Sequence, residues 1–367
     1  MRSLPSGSAA SAALIALPAL AIVLIWAAFL GGSFQFDDWN VIVNEPRIHS
    51  LAAWWESMPG IRPLLKLSYA LNFSFGESPA GFRAFNVLIH ALNATLVLWL
   101  LHARGLRAGF DRRHAQAAAL VAALLFALHP VQTEAVTYIS GRSSSLAACF
   151  CLLSLRCWAR SEHEQQTATR WLVASCACFV AAVAAKETAL ILPLALWLYS
   201  ADRPVRQTLR RLMPFFVLMA LLVALALALP MYRHLLEVSL DTRSTPHNLL
   251  TQARALVYLA GQLIRPYNGN ADPQLPAVDE ADALSVGLAL AWGGAIVWAL
   301  VRIRRSPVGA FAVLWFLFWL APTNSLLPRL DVANDRQLYL ALVGPSWWVG
   351  VQLTKVRRYP IWIGYAV

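Results

Sequence analysis

Apolar and polar positions alternate along this chain over tens of residues. Apolar runs occupy about 9–30, 82–103, 115–129, 143–159, 171–185, 188–201, 212–231, 284–301, 308–321 and 337–353, separated by shorter polar segments. A helix of about 20 apolar residues crosses the hydrocarbon core of a bilayer. The pattern therefore predicts an all-α, polytopic membrane protein with ten spans. The short runs 171–185 and 188–201 need tilt or shelter from neighbours. "YPIWIGYAV" (359–367) reads as the opening of an eleventh span. The stretch 248–264 has a helical period but carries Arg254, which predicts an amphipathic helix on the membrane interface. "LAAWWESM" (51–58) reads the same way, because its Trp pair suits the headgroup level. The first apolar run is longer than the roughly 7–15-residue core of a signal peptide, so a retained anchor is expected. A single transmembrane domain is expected over 1–367, with loops on one side at about 31–81, 129–142, 232–283 and 322–336.

Composition agrees: 59% of the residues are hydrophobic and 13% charged, about half the charged share of a soluble domain. The net charge of +11 would suit nucleic acid if it lay on one surface. Instead the basic residues fall into short segments at 104–114, 156–170, 202–211, 302–305 and 355–358. That is the positive-inside distribution; it orients the chain and argues against a nucleic-acid partner. The five cysteines follow no zinc spacing and read as small buried hydrophobes. The 19 acids add something else. Only Asp111, Glu162, Glu164 and Asp202 fall on the basic side, and the remainder lie at the opposite helix ends or loops. The positive-inside rule says little about acids, so a catalytic or binding face is expected there.

"FQFDDWN" (34–40) puts Asp37 and Asp38 side by side, directly after the first span. Adjacent carboxylates repel, and their aromatic neighbours partly dehydrate them. On the same face fall "HPVQTEAVTYISGR" (129–142), with His129, Glu134 and Arg142, and "AKE" (185–187), with Lys186 and Glu187. "NDRQLY" (334–339) adds Asp335, Arg336 and Tyr339, and the long first loop adds Arg62 and Lys66. A carboxylate base beside cations at a membrane boundary suits group transfer from a lipid phosphate whose tail stays in the bilayer. Structural alternatives stand beside each reading. His129–Pro130 can simply end a helix, Lys186–Glu187 can be an interfacial ion pair, and Arg142 can cap a helix or meet headgroups. No metal or other cofactor is called for, although paired acids could hold a divalent cation. Asp37 and Asp38 diverge if their segment is extended, which argues against a shared ion.

"FDDWNVIVNEPRI", "RPLLKLSYALN", "FRAFNVLIHALNATLVLWLL", "HPVQTEAVTYISGRSSSLAACFCLL", "AKETALILPLALWLYS" and "NDRQLYLALVG" occur in this order over about 34–345. In this the chain resembles the transmembrane-and-tetratricopeptide O-mannosyltransferases and their bacterial relatives, glycosyltransferases of the GT-C class. The resemblance implies a bundle of about 10–11 spans that moves a sugar, mannose for instance, from a polyprenyl-phosphate donor to a hydroxyl of an acceptor protein or glycan. The transfer would invert the anomeric centre on the non-cytoplasmic face. It implies Asp37 as base with Asp38 as its partner, and Arg336 near the donor. By position, Arg142 and Lys186 become further phosphate or sugar contacts. Two features differ from that family. No 34-residue helical repeat occurs in these residues, and Asp335 stands where Glu is expected. Other readings stay open: a transporter or flippase of lipid-linked sugars, a lipid-glycan ligase using the same donor, or a non-catalytic assembly protein. The excess of Arg and Ala over Lys and Ile points to a bacterial inner membrane.

Overall fold

A bilayer leaves a spanning backbone few choices but helix, because its N–H and C=O groups find no water there. The computed structural model describes residues 9–57, 60–265, 269–270 and 273–355, and among them there is no strand; the eleventh span expected at 359–367 lies outside them. In chain order the helices are α1 (Ala9–Trp26), α2 (Leu51–Ser57), α3 (Pro63–Phe73), α4 (Pro79–Arg107), α5 (Arg112–Leu128), α6 (Thr133–Val136), α7 (Arg142–His163) and α8 (Ala168–Ala185). They continue with α9 (Leu192–Tyr199), α10 (Val205–Ala228), α11 (Pro230–Thr242), α12 (Thr245–Gln262), α13 (Ala283–Arg302), α14 (Pro307–Leu320), α15 (Leu338–Ala341) and α16 (Val343–Lys355).

Each of the ten expected spans is helical, but they are not alike. α4, α8, α10 and α13 are long and apolar enough to cross a membrane by themselves, and α5 makes a fifth with the short 130–136 segment, bent by 52°. The bend falls at His129, held at ψ 127° by the proline that follows it. α7 has the length, 22 residues, yet is rich in Ser and Arg. It can afford this because it is central: α4 and α8 pack along it, and a helix wrapped in protein need not be apolar. α10 and α13, by contrast, expose Met213, Leu221, Leu225, Leu290, Val297 and Val301. α16 lies so close to α5 that a Cβ on Gly350 would stand 2.4 Å from the Ala118 carbonyl oxygen, the small-residue contact typical of membrane helices.

Two expectations change. Residues 232–248 are largely helix rather than loop, since Pro230 and Pro246 pre-set the first turns of α11 and α12. The other concerns α12, which buries a polar stripe, Asn248, Thr251 and Gln252, inside the protein. Asn248 donates to the Ser325 carbonyl, and Gln252 accepts from Asn324.

Candidate functional site

The loop after α1 is held by a buried arginine on α4. Arg83 donates to the carbonyls of Leu30, Gly32 and Ser33 on one side and of Thr137 on the other. This brings 30–38 against 137–140. Phe36 takes a left-handed backbone (φ 45°), uncommon for a bulky residue and a mark of a tightly determined segment. The two acids then part company. Asp38 is fully buried: one oxygen accepts from the Ser140 N–H (2.9 Å) and hydroxyl (2.6 Å), the other from the Gln35 N–H (3.1 Å). Asp37 is exposed, and its carboxylate has no partner among the described residues. Only its backbone is tied, by an N–H donated to the Tyr138 hydroxyl at 3.1 Å. The Tyr138 phenol is pushed up to about 12, by burial and then by the two neighbouring carboxylates. The acids lie in a turn that opens a wide, π-type helical turn (Trp39–Val43), so the segment is not extended. The side chains diverge all the same.

Ser140 starts the link to the next group. One helical turn on, about 6 Å along the axis, Ser144 accepts a 2.7 Å hydrogen bond from Lys186 Nζ. Gly141 between them is dictated by space, since a Cβ there would sit 2.0 Å from the Glu134 carbonyl oxygen. Lys186 is 9% exposed. It faces a cavity of about 40 Å³ lined by Ser144, Thr188, Thr323, Arg336, Gln337 and Tyr339, room for a few waters. Burial first, then the guanidinium groups of Arg62, Arg336 and Arg329, hold its ammonium well below the ordinary lysine value; Glu187 opposes them only in part. Arg336 is fixed by Glu134, which accepts its backbone N–H at 2.8 Å and pairs with Nε at 3.4 Å.

The remaining candidates are brought to the same end of the bundle but are more fully engaged. Arg62, at a left-handed position (φ 54°), forks onto Glu187 at 2.9–3.1 Å, and the Tyr232 hydroxyl also donates to that carboxylate. Lys66 stands 4.0 Å from Glu45, which Arg47 already clamps. Asp335 is 5% exposed with Oδ1 unpartnered, and burial together with Glu134 pushes it up to about 6.

This geometry corrects Arg142 as a donor contact and decides between the readings of His129. Arg142 is fully buried; it donates to Asn86 Oδ1 (2.6 Å), the Ser68 carbonyl (3.0 Å) and the Phe82 carbonyl (3.0 Å), and it packs on the Tyr69 and Phe85 rings. Its fork is used up inside the protein, leaving none for a phosphate. His129 ends α5 and caps the turn that follows: Nδ1 accepts the Val131 N–H, so Nε2 carries the proton and donates to the Leu263 carbonyl. Tyr339 lines the Lys186 cavity while its hydroxyl is tied inside the core, receiving a bond from Asn93 and donating to His90, whose other nitrogen donates to the Ala127 carbonyl.

Arg83, Ser140, Ser144, Tyr138 and Tyr232 were not singled out from the sequence. The "SGRSSS" run carried a signal, since serines at the mouth of a spanning helix imply partners nearby. Arg83 carried one too, as a charge inside an apolar run.

Fold and site together define a polytopic α-helical membrane protein with a polar, partly dry pocket at one end of its bundle. The chain is similar to proteins named protein O-mannosyl-transferase. It is 32% identical over 189 residues to TMTC4 of Homo sapiens, covering 44% of this chain and 25% of that one. With F38B6.6 of Caenorhabditis elegans it shares 36% over 142 residues, 34% of this chain and 20% of that one. With TMTC1 of Mus musculus the identity is 37% over 174 residues, 43% and 17% of the two chains. The resemblance to the protein O-mannosyltransferases is thus found in the chain itself, and the matched stretch spans a quarter or less of the length of these relatives. No family model matches, and no solved structure does.

Proposed function

We propose that this chain is a membrane glycosyltransferase that moves a sugar, mannose by analogy with its relatives' names, from a polyprenyl-phosphate donor to a hydroxyl of an acceptor protein. The carrying observation is the division of labour between adjacent acids: Asp38 is buried and saturated, Asp37 beside it is free, and Ser140, which Asp38 holds, lies one helical turn before Ser144, the hydrogen-bond partner of the buried Lys186. Asp37 takes the proton of the acceptor hydroxyl as its oxygen attacks the anomeric carbon. The bond from that carbon to the phosphate oxygen breaks, the electron pair leaves with the polyprenyl phosphate, and the configuration inverts. Lys186 and Arg336 hold the phosphate and stabilise the charge it gains, with Arg62 and Lys66 at the rim. Asp38 and Tyr138 aim Asp37. The face would be non-cytoplasmic and the membrane a bacterial inner membrane, which the Arg-rich opposite end and the composition support.

A transporter of lipid-linked sugars would need unsatisfied polar groups or broken helices near the middle of the bilayer. Here His90 and the Asn93 amide N–H are bonded to Tyr339, and the one bent span among the described residues breaks at its end, at His129, beside the candidate site. The test compares envelope glycoproteins and lipid-linked glycans by mass spectrometry in cells carrying wild type or Asp37→Asn at matched membrane levels. Loss of one sugar mass from a defined protein supports the reading. An unchanged glycan profile removes it.

A further inference from the structure

The opposite end of the bundle carries a cation that the proposed chemistry does not use. Arg104, in the last turn of α4, is 3% exposed, its Nε is buried without a partner, and none of its nitrogens donates to any group among the described residues. The neighbouring acids give Arg104 no hydrogen bond, and the one whose charge reaches it, Asp202, is part-exposed. Arg107 and Arg203 both bind Glu162, whose Oε1 also accepts from Ser200, and Asp202 lies 3.4 Å from Arg107. Beside Arg104 stand the ring of Phe311, 5.5 Å away on α14, and Tyr199 of α9, whose hydroxyl is buried and unpartnered.

A buried guanidinium with no anion in hydrogen-bond contact is costly to keep charged, and arginine does not escape by losing its proton. We propose that the place where Arg104 of α4 meets α9 and α14 is a phosphate site, in which the Arg104 fork and the Tyr199 hydroxyl hold a phosphate ester of an anionic phospholipid in the leaflet at the Arg-rich end. The guanidinium fork matches two phosphate oxygens, and Phe311 supplies an aromatic shelf beneath it. Depth favours a lipid over a free ion. Arg104 lies three residues from the end of a helix long enough to cross the membrane, at the level where headgroup phosphates and juxtamembrane basic residues meet.

The test uses the full chain in detergent micelles and follows its thermal midpoint on adding phosphatidylglycerol, diacylglycerol or inorganic phosphate. Phosphatidylglycerol should raise the wild-type midpoint by about 3 °C, and diacylglycerol, which has the tails without the phosphate, should not. Arg104→Gln should lose most of the shift, and Arg304→Gln, at an exposed basic position of the same end, should keep it. The same Arg104-dependent shift with inorganic phosphate keeps the site and makes its ligand a free anion. An equal shift in Arg104→Gln, an equal shift with diacylglycerol, or the same loss in Arg304→Gln overturns the proposal. If Arg104→Gln does not fold, Arg104→Lys, which keeps the charge without the fork, should show a smaller shift than wild type. Native mass spectrometry of the wild type then counts retained phospholipid, and none retained also overturns it.

Discussion

The two ends of the bundle handle charge in opposite ways. At the Arg107 end every acid close to the core is paired: Glu162, its side chain 1% exposed, is held by two arginines and a serine. What is left over there is a cation, Arg104. At the Asp37 end a group of each sign is left over, the Asp37 carboxylate and the Lys186 ammonium, tied to the same serine-rich stretch through Asp38–Ser140 and Lys186–Ser144. A spare cation alone can bind an anion. A spare acid beside a spare cation can move a proton while holding a leaving group, and that difference separates a binding end from a reactive one.

The sharpest way to break the contrast is to remove the spare acid. Asp37→Asn should lower sugar transfer roughly 10²–10⁴-fold, the usual contribution of a positioned base, with the thermal midpoint within a degree or two of wild type. Asp38→Asn should instead lower the midpoint as well as transfer, because it unpins the loop from Ser140. Equal behaviour of the two variants would erase the distinction drawn between them.

The closed end should answer the other way. Glu162→Gln leaves two arginines facing a neutral amide and should cost about 3–5 kcal/mol of stability, read as a lower denaturation midpoint in detergent. Transfer per folded molecule should stay unchanged.

Lys186→Gln should reduce transfer by about 10²-fold, the loss expected for one donor to a developing negative charge. A binding assay with the polyprenyl phosphate product should show weaker affinity. If affinity holds while transfer falls, Lys186 acts only on the departing phosphate.

The smallest effect is a pH dependence. Asp335 sits at about 6 in the folded protein, above its ordinary value of 3.8. A carboxyl raised in this way contributes stability that is full below the unfolded value and is lost as pH rises through the folded one. Stability should therefore fall between pH 4 and 6 by at most about 1.4 kcal/mol per pH unit. Asp335→Asn should flatten that slope, and melting curves across this range in both proteins check it.

What could be read in advance divides along physical lines. Helix positions follow from apolar runs and from the rule that a backbone in lipid must bond to itself, so all ten expected spans are helices. Which residues share an end follows from counting crossings, and contacts such as Asp38–Ser140, Ser144–Lys186, Glu134–Arg336 and Arg62–Glu187 gather the expected stretches. Pairing does not follow from either. Arg142 and Lys186 looked alike as cations at helix ends, yet one is saturated by Asn86, Ser68 and Phe82 and the other touches a single serine. Asp37 and Asp38 are neighbours in the chain, and only the closeness of Ser140 tells them apart. Periodicity is a property of one segment, and the chain alone determined where the apolar helices lie and which polar stretches share an end. Whether a charge is spare depends on atoms contributed by several helices within about 3 Å, and that only the tertiary structure decided.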